Sequence, residues 1–325
     1  MKRTIALSLL FVMIASMVSC SLLPEDLTLC TVNFYVDGEL YDTKTGFMGK
    51  TVGMPKNPSK ENQIFVGWYV HGILIYEYDF SSTLITDLDL HASFVLDAEA
   101  LTNMLTTSTM KSVVTVHNKC YNTTMGGLVE LNSLTSQGSG VVVDISDGYC
   151  YVLTNAHVVS SSEDYSKQSI TVEDPWGNEY EAQIYVNPSL NVQAMDTSYD
   201  IALIYFKYEL AEEPTLSEIE LAEDPKVGDY VVSLGSPRNQ KNAISYGETL
   251  AYKVMPESED ALADIKFEII LHDATIDHGS SGGPLLNASG KLIGLNFAGY
   301  SEYGYGCAIP VSRITEFMYQ YVYAK

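Results

Sequence analysis

The sequence is poor in positive charge. Among 325 residues, 18 are Lys or Arg and 41 are Asp or Glu, which gives a formal net charge of −23. A chain this acidic is repelled by a phosphate backbone and lacks a basic patch for anionic lipid, so we do not expect nucleic acid as a partner. No acidic run is long enough to form a tail, and we expect the charge to be spread over solvated faces.

Cysteine is also scarce, and the spacing typical of metal sites is missing. The five Cys and six His show no CxxC or Cys/His pattern, so we expect no metal and no zinc site. Four cysteines follow residue 20, namely Cys30, Cys120, Cys150 and Cys307. An even number in an exported protein permits two disulfides without assigning pairs, although the apolar runs around Cys150 and Cys307 favour buried free thiols.

Long hydrophobic runs are missing except at the N-terminus, MKRTIALSLLFVMIASMVSC. Two basic residues precede fourteen mostly apolar ones, residues 5–18, which is short for a membrane span but typical of a secretory signal. The last four residues, MVSC, resemble the lipobox of bacterial lipoproteins. That resemblance implies a signal peptide over 1–19 and a lipid on Cys20 that tethers the protein to the extracytoplasmic face of a bacterial membrane. A plain signal peptide and an uncleaved anchor are the alternatives.

The composition that remains, 46% apolar and 11% aromatic, is that of a globular protein with one large or two smaller cores. Residues 31–41 alternate polar and apolar residues around Asp37-Gly38, a hairpin signal, and residues 29–96 are predicted to form a small all-β module. The pieces VNFYVDGE, FVGWY and DLDLHASF resemble the Listeria–Bacteroides repeat, a β-grasp-like module of bacterial surface proteins. The aromatic residues of this module are Trp68, Tyr69, Tyr76 and Tyr78. They form either a partner-binding face or the core of a small sheet.

The rest of the chain also predicts β-structure. Residues 97–110 are interpreted as a linker with one or two helical turns, and 111–325 contain many short strands, which favours a barrel or a sandwich. A C-terminal helix is predicted because apolar residues recur on one face, at Ile314, Phe317, Met318 and Tyr321. The fold class is therefore all-β.

Three segments of the larger domain carry chemistry. YVLTNAHVV places His157 after an apolar strand, SYDIALIYF places Asp200 before another, and DHGSSGGPLL places Ser281 in a glycine-rich turn. Singly, each has an ordinary structural explanation. Together they supply a nucleophile, a base to remove its proton and a carboxylate to orient the base. Glycines around a serine also let backbone N–H groups converge on an oxyanion.

TNAHVV, YDIALI and GSSGGPL, with GSGVVVD, VGDYVVSLGSP and CAIPVSRI, resemble the chymotrypsin-fold serine proteases of the HtrA/Deg type. The spacings of 43 residues from His157 to Asp200 and 81 from Asp200 to Ser281 also suit that two-barrel fold. The resemblance implies a serine endopeptidase that acts on proteins or peptides through an acyl-enzyme, with no cofactor. It implies an oxyanion hole at Gly279, Ser280 and Ser281.

The same resemblance implies where the substrate side chain binds. The base of the pocket would be Thr275, and its wall and the strand that pairs with the substrate would be Asn296, Phe297 and Ala298. A neutral Thr lacks the carboxylate that pairs with Lys or Arg, so we expect cleavage after small or aliphatic residues. Asp273 or Asp277 would weaken this expectation by turning into the pocket.

The sequence departs from the family pattern in two ways. Ser280 and His278 stand where Asn and Pro are usual; His278 is interpreted as a loop residue and not as a competing base. No PDZ-like segment follows the protease motifs, so the resemblance is not extended to chaperone or stress-sensing roles. Two alternatives stay open: a catalytically silent surface-binding protein, and a latent protease controlled by loops at 119–137 and 255–264.

Overall fold

A computed structural model describes residues 28–71, 75–209, 215–235, 243–254, 267–300 and 304–324, which divide into two compact units at residue 95/96. The predicted signal peptide, Cys20 and the acidic loop 255–264 lie outside the described residues. Within the described segments, no helix is both long and apolar enough to cross a membrane.

The N-terminal unit is one five-stranded sheet in the order β2-β1-β5-β3-β4. Its strands are β1 Leu29–Val36, β2 Glu39–Phe47, β3 Gln63–Val70, β4 Tyr76–Glu77 and β5 Leu88–Leu96. The predicted hairpin is confirmed: β1 and β2 are antiparallel, and both Asp37 (φ 53°) and Gly38 (φ 85°) have the positive φ that a tight hairpin turn requires. Phe34, Trp68 and Leu90 are buried in this unit's core. Trp68 is therefore a core residue, while Tyr76 is 56% exposed.

The predicted linker is wrong, because most of it is a helix of the second unit. Helix α1, Ala98–Thr107, begins at Asp97, whose side chain accepts a hydrogen bond from the Ala100 N–H at 3.0 Å. Leu101 and Leu105, one helical turn apart, are fully buried in that unit's core. The helix forms because a capping residue precedes apolar residues at helical spacing.

The first barrel of the larger unit closes through antiparallel pairing of β10 with β14. Its strands are β6 Val113–Thr124, β7 Val129–Ser146, β8 Tyr149–Thr154, β9 Lys167–Glu173, β10 Glu179–Ile184 and β14 Ile201–Lys207, with short strands β11 Val186–Asn187, β12 Val192–Gln193 and β13 Met195–Asp196 between them. The loop predicted at 119–137 is instead a continuation of β6 and β7 as a paired hairpin, in which Cys120 lies opposite Leu134.

The second barrel is a closed ring of six antiparallel strands in the order β15-β16-β17-β20-β19-β18. They are β15 Tyr230–Gly235, β16 Ala243–Val254, β17 Glu268–His272, β18 Pro284–Asn287, β19 Leu292–Tyr300 and β20 Tyr305–Pro310. The predicted C-terminal helix is confirmed as α3, Val311–Phe317, which buries Ile314 and Phe317 completely. One core cluster joins strands of both barrels, for example Leu203 with Leu234.

The four described cysteines are buried and unpaired. The free thiols predicted for Cys150 and Cys307 are therefore confirmed, and the two disulfides that an even number would permit are not formed. Burial raises the pKa of the Cys150 thiol far above its usual range and that of Cys307 to about 12.

Candidate active site

His157 and Asp200 are joined in the first barrel by two hydrogen bonds. His157 lies in the short helix α2, Ala156–Val159, which follows β8, and Asp200 directly precedes β14. One carboxylate oxygen of Asp200 accepts the backbone N–H of His157 at 2.9 Å, and the other lies 2.7 Å from Nδ1 of the ring. Asp200 is only 2% exposed. A buried carboxylate at Nδ1 places the proton there and leaves Nε2 as the basic atom.

The backbone of Asp200 also makes hydrogen bonds to the segment that carries His157. Its φ of 55° lies in the left-handed region, which Asp tolerates better than most residues. Its carbonyl accepts hydrogen bonds from the Asn155 side-chain amide at 2.9 Å and from the Ala156 N–H at 3.1 Å. Side chain and backbone of one residue thus fix the segment that carries His157.

Ser281 lies in the turn between β17 and β18 of the second barrel. The Ser280 N–H closes this turn on the Asp277 carbonyl at 2.9 Å, and Gly279 in its third position has φ 98°. Such a turn favours glycine there. The N–H groups of Gly282 and Gly283 donate to Asn296 O (2.8 Å) and Ser280 O (2.9 Å).

The N–H groups of Gly279 and Ser281 have no acceptor within the described chain, whereas the neighbouring amides of the turn are paired. They belong to two of the three residues that the sequence places in the oxyanion hole. Ser280 differs, because its N–H is used to close the turn and its hydroxyl accepts from the Asp277 N–H at 3.2 Å. The Ser280 amide is therefore not a third donor.

The Ser281 hydroxyl donates to the Phe297 carbonyl at 3.3 Å. Between the described side chains of Ser281 and His157, no hydrogen bond is formed. The two residues nevertheless lie on facing segments. A Cβ built on Gly138 would lie 2.8 Å from Ser281 O and 2.7 Å from the side chain of Val158. Glycine at 138 therefore permits the close approach of the two barrels at the site.

Ser139, which sequence reasoning missed, ties the Ser281 turn to the first barrel. Its hydroxyl donates to Gly279 O at 2.7 Å, and its N–H donates to Ser281 O at 2.7 Å. Its own carbonyl accepts from Thr154 Oγ1 at 2.7 Å. The Gly-Ser-Gly of GSGVVVD is the sequence feature that could have identified Ser139. A small polar residue between two glycines fits where the two barrels approach each other closely.

The side chain of Asn296 does not form a pocket wall, and that part of the prediction is wrong. Its side chain is completely buried, where Nδ2 donates to Ser233 Oγ (3.0 Å) and Pro284 O (3.1 Å) and Oδ1 lies 3.1 Å from His272 Nε2. Its backbone pairs with Gly282 and Gly283. Asn296 therefore supports the Ser281 turn from inside the barrel, because its side chain joins β19 to Ser233 of β15, His272 of β17 and Pro284 of β18.

A cavity of about 170 Å³ adjoins Ser281. Its lining contains Phe297 and Ala298 but neither Thr275 nor Asn296; it comprises Ile276, Asp277, His278, Ser280, Ser281, Phe297, Ala298 and Gly299. Thr275 is exposed and its N–H donates to Ser245 Oγ at 2.6 Å, so Ile276 takes the place expected for Thr275. Asp273 is turned away and accepts the Glu248 N–H at 2.6 Å.

A buried His272 borders this site but has no part in the cavity. Its side chain is completely buried, and its Nδ1 has no hydrogen-bond partner in the described chain. Burial lowers the pKa of His272 to about 4, so the ring is neutral at physiological pH. Over the described residues, no group of His, Cys, Asp and Glu is arranged to hold a metal ion.

Two closed antiparallel barrels, with a His–Asp pair on one and a glycine-flanked serine turn on the other, define the chymotrypsin-like class. Residues 138–295 match the family described as "trypsin-like peptidase domain", and residues 31–93 match the "Listeria-Bacteroides repeat domain". These two matches confirm the resemblances to HtrA-type serine proteases and to the Listeria–Bacteroides repeat that the sequence motifs indicate.

Relatives of the peptidase domain include several named serine proteases. The chain is 35% identical to serine protease HTRA2, mitochondrial, of Bos taurus, over 57% of this chain and 36% of that protein. It is 32% identical to putative serine protease HhoA of Synechocystis sp., over 55% and 41%. A solved HtrA-type protease with a tripeptide aligns at 26% identity and a TM-score of 0.48, covering 66% of this chain and 61% of the other. The chain spans about two fifths or less of the length of these two curated relatives.

Proposed function

We propose that this protein is an extracytoplasmic serine endopeptidase in which His157, Asp200 and Ser281 form the catalytic triad. The observation that supports it best is the pair of hydrogen bonds between Asp200 and His157, at 2.9 and 2.7 Å. They lie opposite a turn in which two N–H groups have no acceptor among the described residues. The substrates are proteins or peptides.

A residue of this site can carry out each step of peptide hydrolysis. His157 Nε2 takes the Ser281 proton as Oγ attacks the scissile carbonyl, and the Gly279 and Ser281 N–H groups stabilise the oxyanion. The protonated His157 then gives its proton to the leaving amine, which yields the acyl-enzyme. Water attacks the ester with the same base, and Ser281 is regenerated.

The Ser281 hydroxyl must leave the Phe297 carbonyl before this reaction begins, because it donates there at 3.3 Å. We infer a rotation of the Ser281 side chain toward His157 when substrate occupies the cavity. A latent protease is therefore a second candidate, which this hydrogen bond specifically favours over a site that is competent at rest.

Specificity for small or aliphatic side chains is supported by the apolar wall of Ile276, Phe297 and Ala298 and by the small volume of about 170 Å³. Asp277 also lines this cavity, with Oδ1 accepting the His278 N–H at 2.7 Å. A peptide library should be cleaved after Val, Ala or Leu. Strict cleavage after Arg or Lys would show that Asp277 governs the pocket.

The decisive experiment is labelling of the full chain with a fluorophosphonate, beside Ser281→Ala and Ser280→Ala. We expect the wild type and Ser280→Ala to label and Ser281→Ala to stay unlabelled. Labelling that appears only with a bound peptide would identify the latent form. A folded wild type that labels under neither condition would support the silent surface-binding protein.

We also propose that a lipid on Cys20 tethers the enzyme to its membrane, on the support of the MVSC pattern. Expressed in a bacterium, the full chain should partition into detergent and incorporate labelled fatty acid, and Cys20→Ala should do neither. Equal incorporation by both would contradict the tether.

A further inference from the structure

A cavity of about 580 Å³ lies in the N-terminal unit, along β3. It is lined by apolar and aromatic side chains together with two carboxylates: Met54, Asn57, Phe65, Val66, Gly67, Trp68, Glu77, Tyr78, Asp79, Phe80 and Ser81. It belongs to the repeat domain and takes no part in the proposed proteolysis.

One side of this cavity is an open sheet edge. β4 pairs with β3 only at Tyr69 and Val70, and one further bond follows, from the Tyr78 N–H to the Trp68 carbonyl at 2.7 Å. The chain then turns away. Residues 65–67 of β3 line the cavity and lie beyond the part of the strand that pairs with β4, while β5 is the neighbour on the strand's other side. An open edge of this kind accepts an extended peptide as an added strand.

The floor of the cavity is aromatic. Tyr78 and Phe80 pack edge to face at 5.0 Å, and Phe65 packs against Trp68 at 5.6 Å. Trp68 is 1% exposed, and neither its Nε1 nor the Tyr78 hydroxyl has a hydrogen-bond partner in the described part of the chain. Aromatic rings of this kind bind the aliphatic stem of a long basic side chain and attract its charged end.

The charged side chains that line the cavity are all negative. Glu77 and Asp79 line it, and no Lys, Arg or His does. Among the described residues, the Glu77 carboxylate has no hydrogen-bond or ion-pair partner. It lies over Gly67, where a Cβ would be 2.8 Å from Oε1, so the missing side chain of Gly67 makes room for it beside the open edge. The Ser81 N–H (2.8 Å) and hydroxyl (2.7 Å) hold Asp79 and keep its pKa below the usual range.

We propose that this cavity binds an extended cationic peptide segment. The peptide backbone adds to the open edge of β3, and one Lys or Arg side chain lies over Phe65 and Phe80 with its charged end between Glu77 and Asp79. Charge complementarity selects this occupant, because an unpaired carboxylate beside aromatic rings suits a cation, and the formal charge of −23 favours its approach.

Tryptophan fluorescence tests this proposal in the full chain. The sequence has two Trp, so Trp176→Phe leaves Trp68 as the reporter, and Ser281→Ala prevents digestion of the peptide. Titration with acetyl-Val-Lys-Val-Lys-Val-amide should give a saturable change that weakens with salt. Glu77→Gln and Gly67→Ala should each weaken binding at least tenfold, while Glu39→Gln, which removes a charge from β2, should not.

Three results would overturn the proposal: no saturable change, equal binding of the peptide with Glu in place of Lys, or unchanged binding by the folded Glu77→Gln protein. Equal binding of a peptide N-methylated on its Val residues would refute strand addition. Because Glu77→Gln changes no buried residue, it keeps the test decisive even where Gly67→Ala fails to fold.

Discussion

At the scale of single residues, one buried carboxylate determines the state of the candidate base. Asp200 accepts both the backbone N–H of His157 and its ring Nδ1–H. The first bond fixes where the residue lies, and the second fixes which nitrogen carries the proton. Asn has the shape of Asp but donates hydrogen bonds from its amide group. Replacing Asp200 with Asn should therefore separate the position of His157 from the protonation of its ring.

We expect Asp200→Asn to keep the fold and lose activity. Asn can still accept the His157 N–H, but its amide group donates to Nδ1 and forces the proton onto Nε2. Peptide hydrolysis at neutral pH should fall by about 10⁴-fold. Asp147→Asn, in the exposed turn between β7 and β8, is the matched control. A fall of less than tenfold would remove Asp200 from the mechanism.

The buried His272 should make stability depend on pH. Its pKa is about 4 in the folded protein and near 6.5 when unfolded, so the unfolded chain binds the extra proton between these values. The stability present at neutral pH is lost as pH falls from 6.5 toward 4, by roughly 3 kcal/mol. Urea unfolding at pH 7 and pH 4.5 should show a larger loss for the wild type than for His272→Gln, which can still donate to Asn296. Equal losses would contradict this assignment.

At the scale of elements, helix α1 is part of the peptidase core although its sequence suggests a linker. Leu101 and Leu105 are completely buried, and Thr102 Oγ1 makes a hydrogen bond with Tyr246 OH of β16. The helix thereby connects the entry of the domain to the second barrel.

Leu101→Ala should lower the free energy of unfolding by about 2–5 kcal/mol, because it removes a buried side chain and leaves a cavity. Asn103→Ala, on the exposed face of the same helix, should change it by less than about 0.5 kcal/mol. Thermal or urea unfolding measures both. Similar values for the two variants would show that α1 is peripheral.

Features that depend on a few consecutive residues could be predicted from the sequence, whereas features that depend on distant residues could not. The strands, the Asp37-Gly38 hairpin and the segments around His157, Asp200 and Ser281 could be predicted, because each depends on a few consecutive residues. The pocket could not. Ile276 takes the place expected for Thr275, and Asn296 points inward. The path of the turn and the direction of the Asn296 side chain depend on partners distant in the sequence, such as Ser245 and Ser233.

At the scale of the whole molecule, two units carry separate cores, one around Trp68 and one that joins the barrels. A chain that begins at residue 96 keeps α1 and should hydrolyse short peptides at the full-length rate. A chain that begins at residue 111, the boundary that the sequence alone suggests, should be unstable because Leu101 and Leu105 are gone. Equal stability of the two by calorimetry would contradict the placement of the helix in the core.

The burial of every described cysteine has a practical consequence for work with this protein. Cys30, Cys120, Cys150 and Cys307 are each at most 3% exposed and unpaired. The described part of the chain therefore offers no thiol to a maleimide under native conditions. In a chain that begins at residue 28, and so lacks Cys20, a cysteine introduced on the surface would carry a fluorophore or spin label at one chosen position without removal of the four buried thiols. Reactivity of the native four would then report unfolding directly.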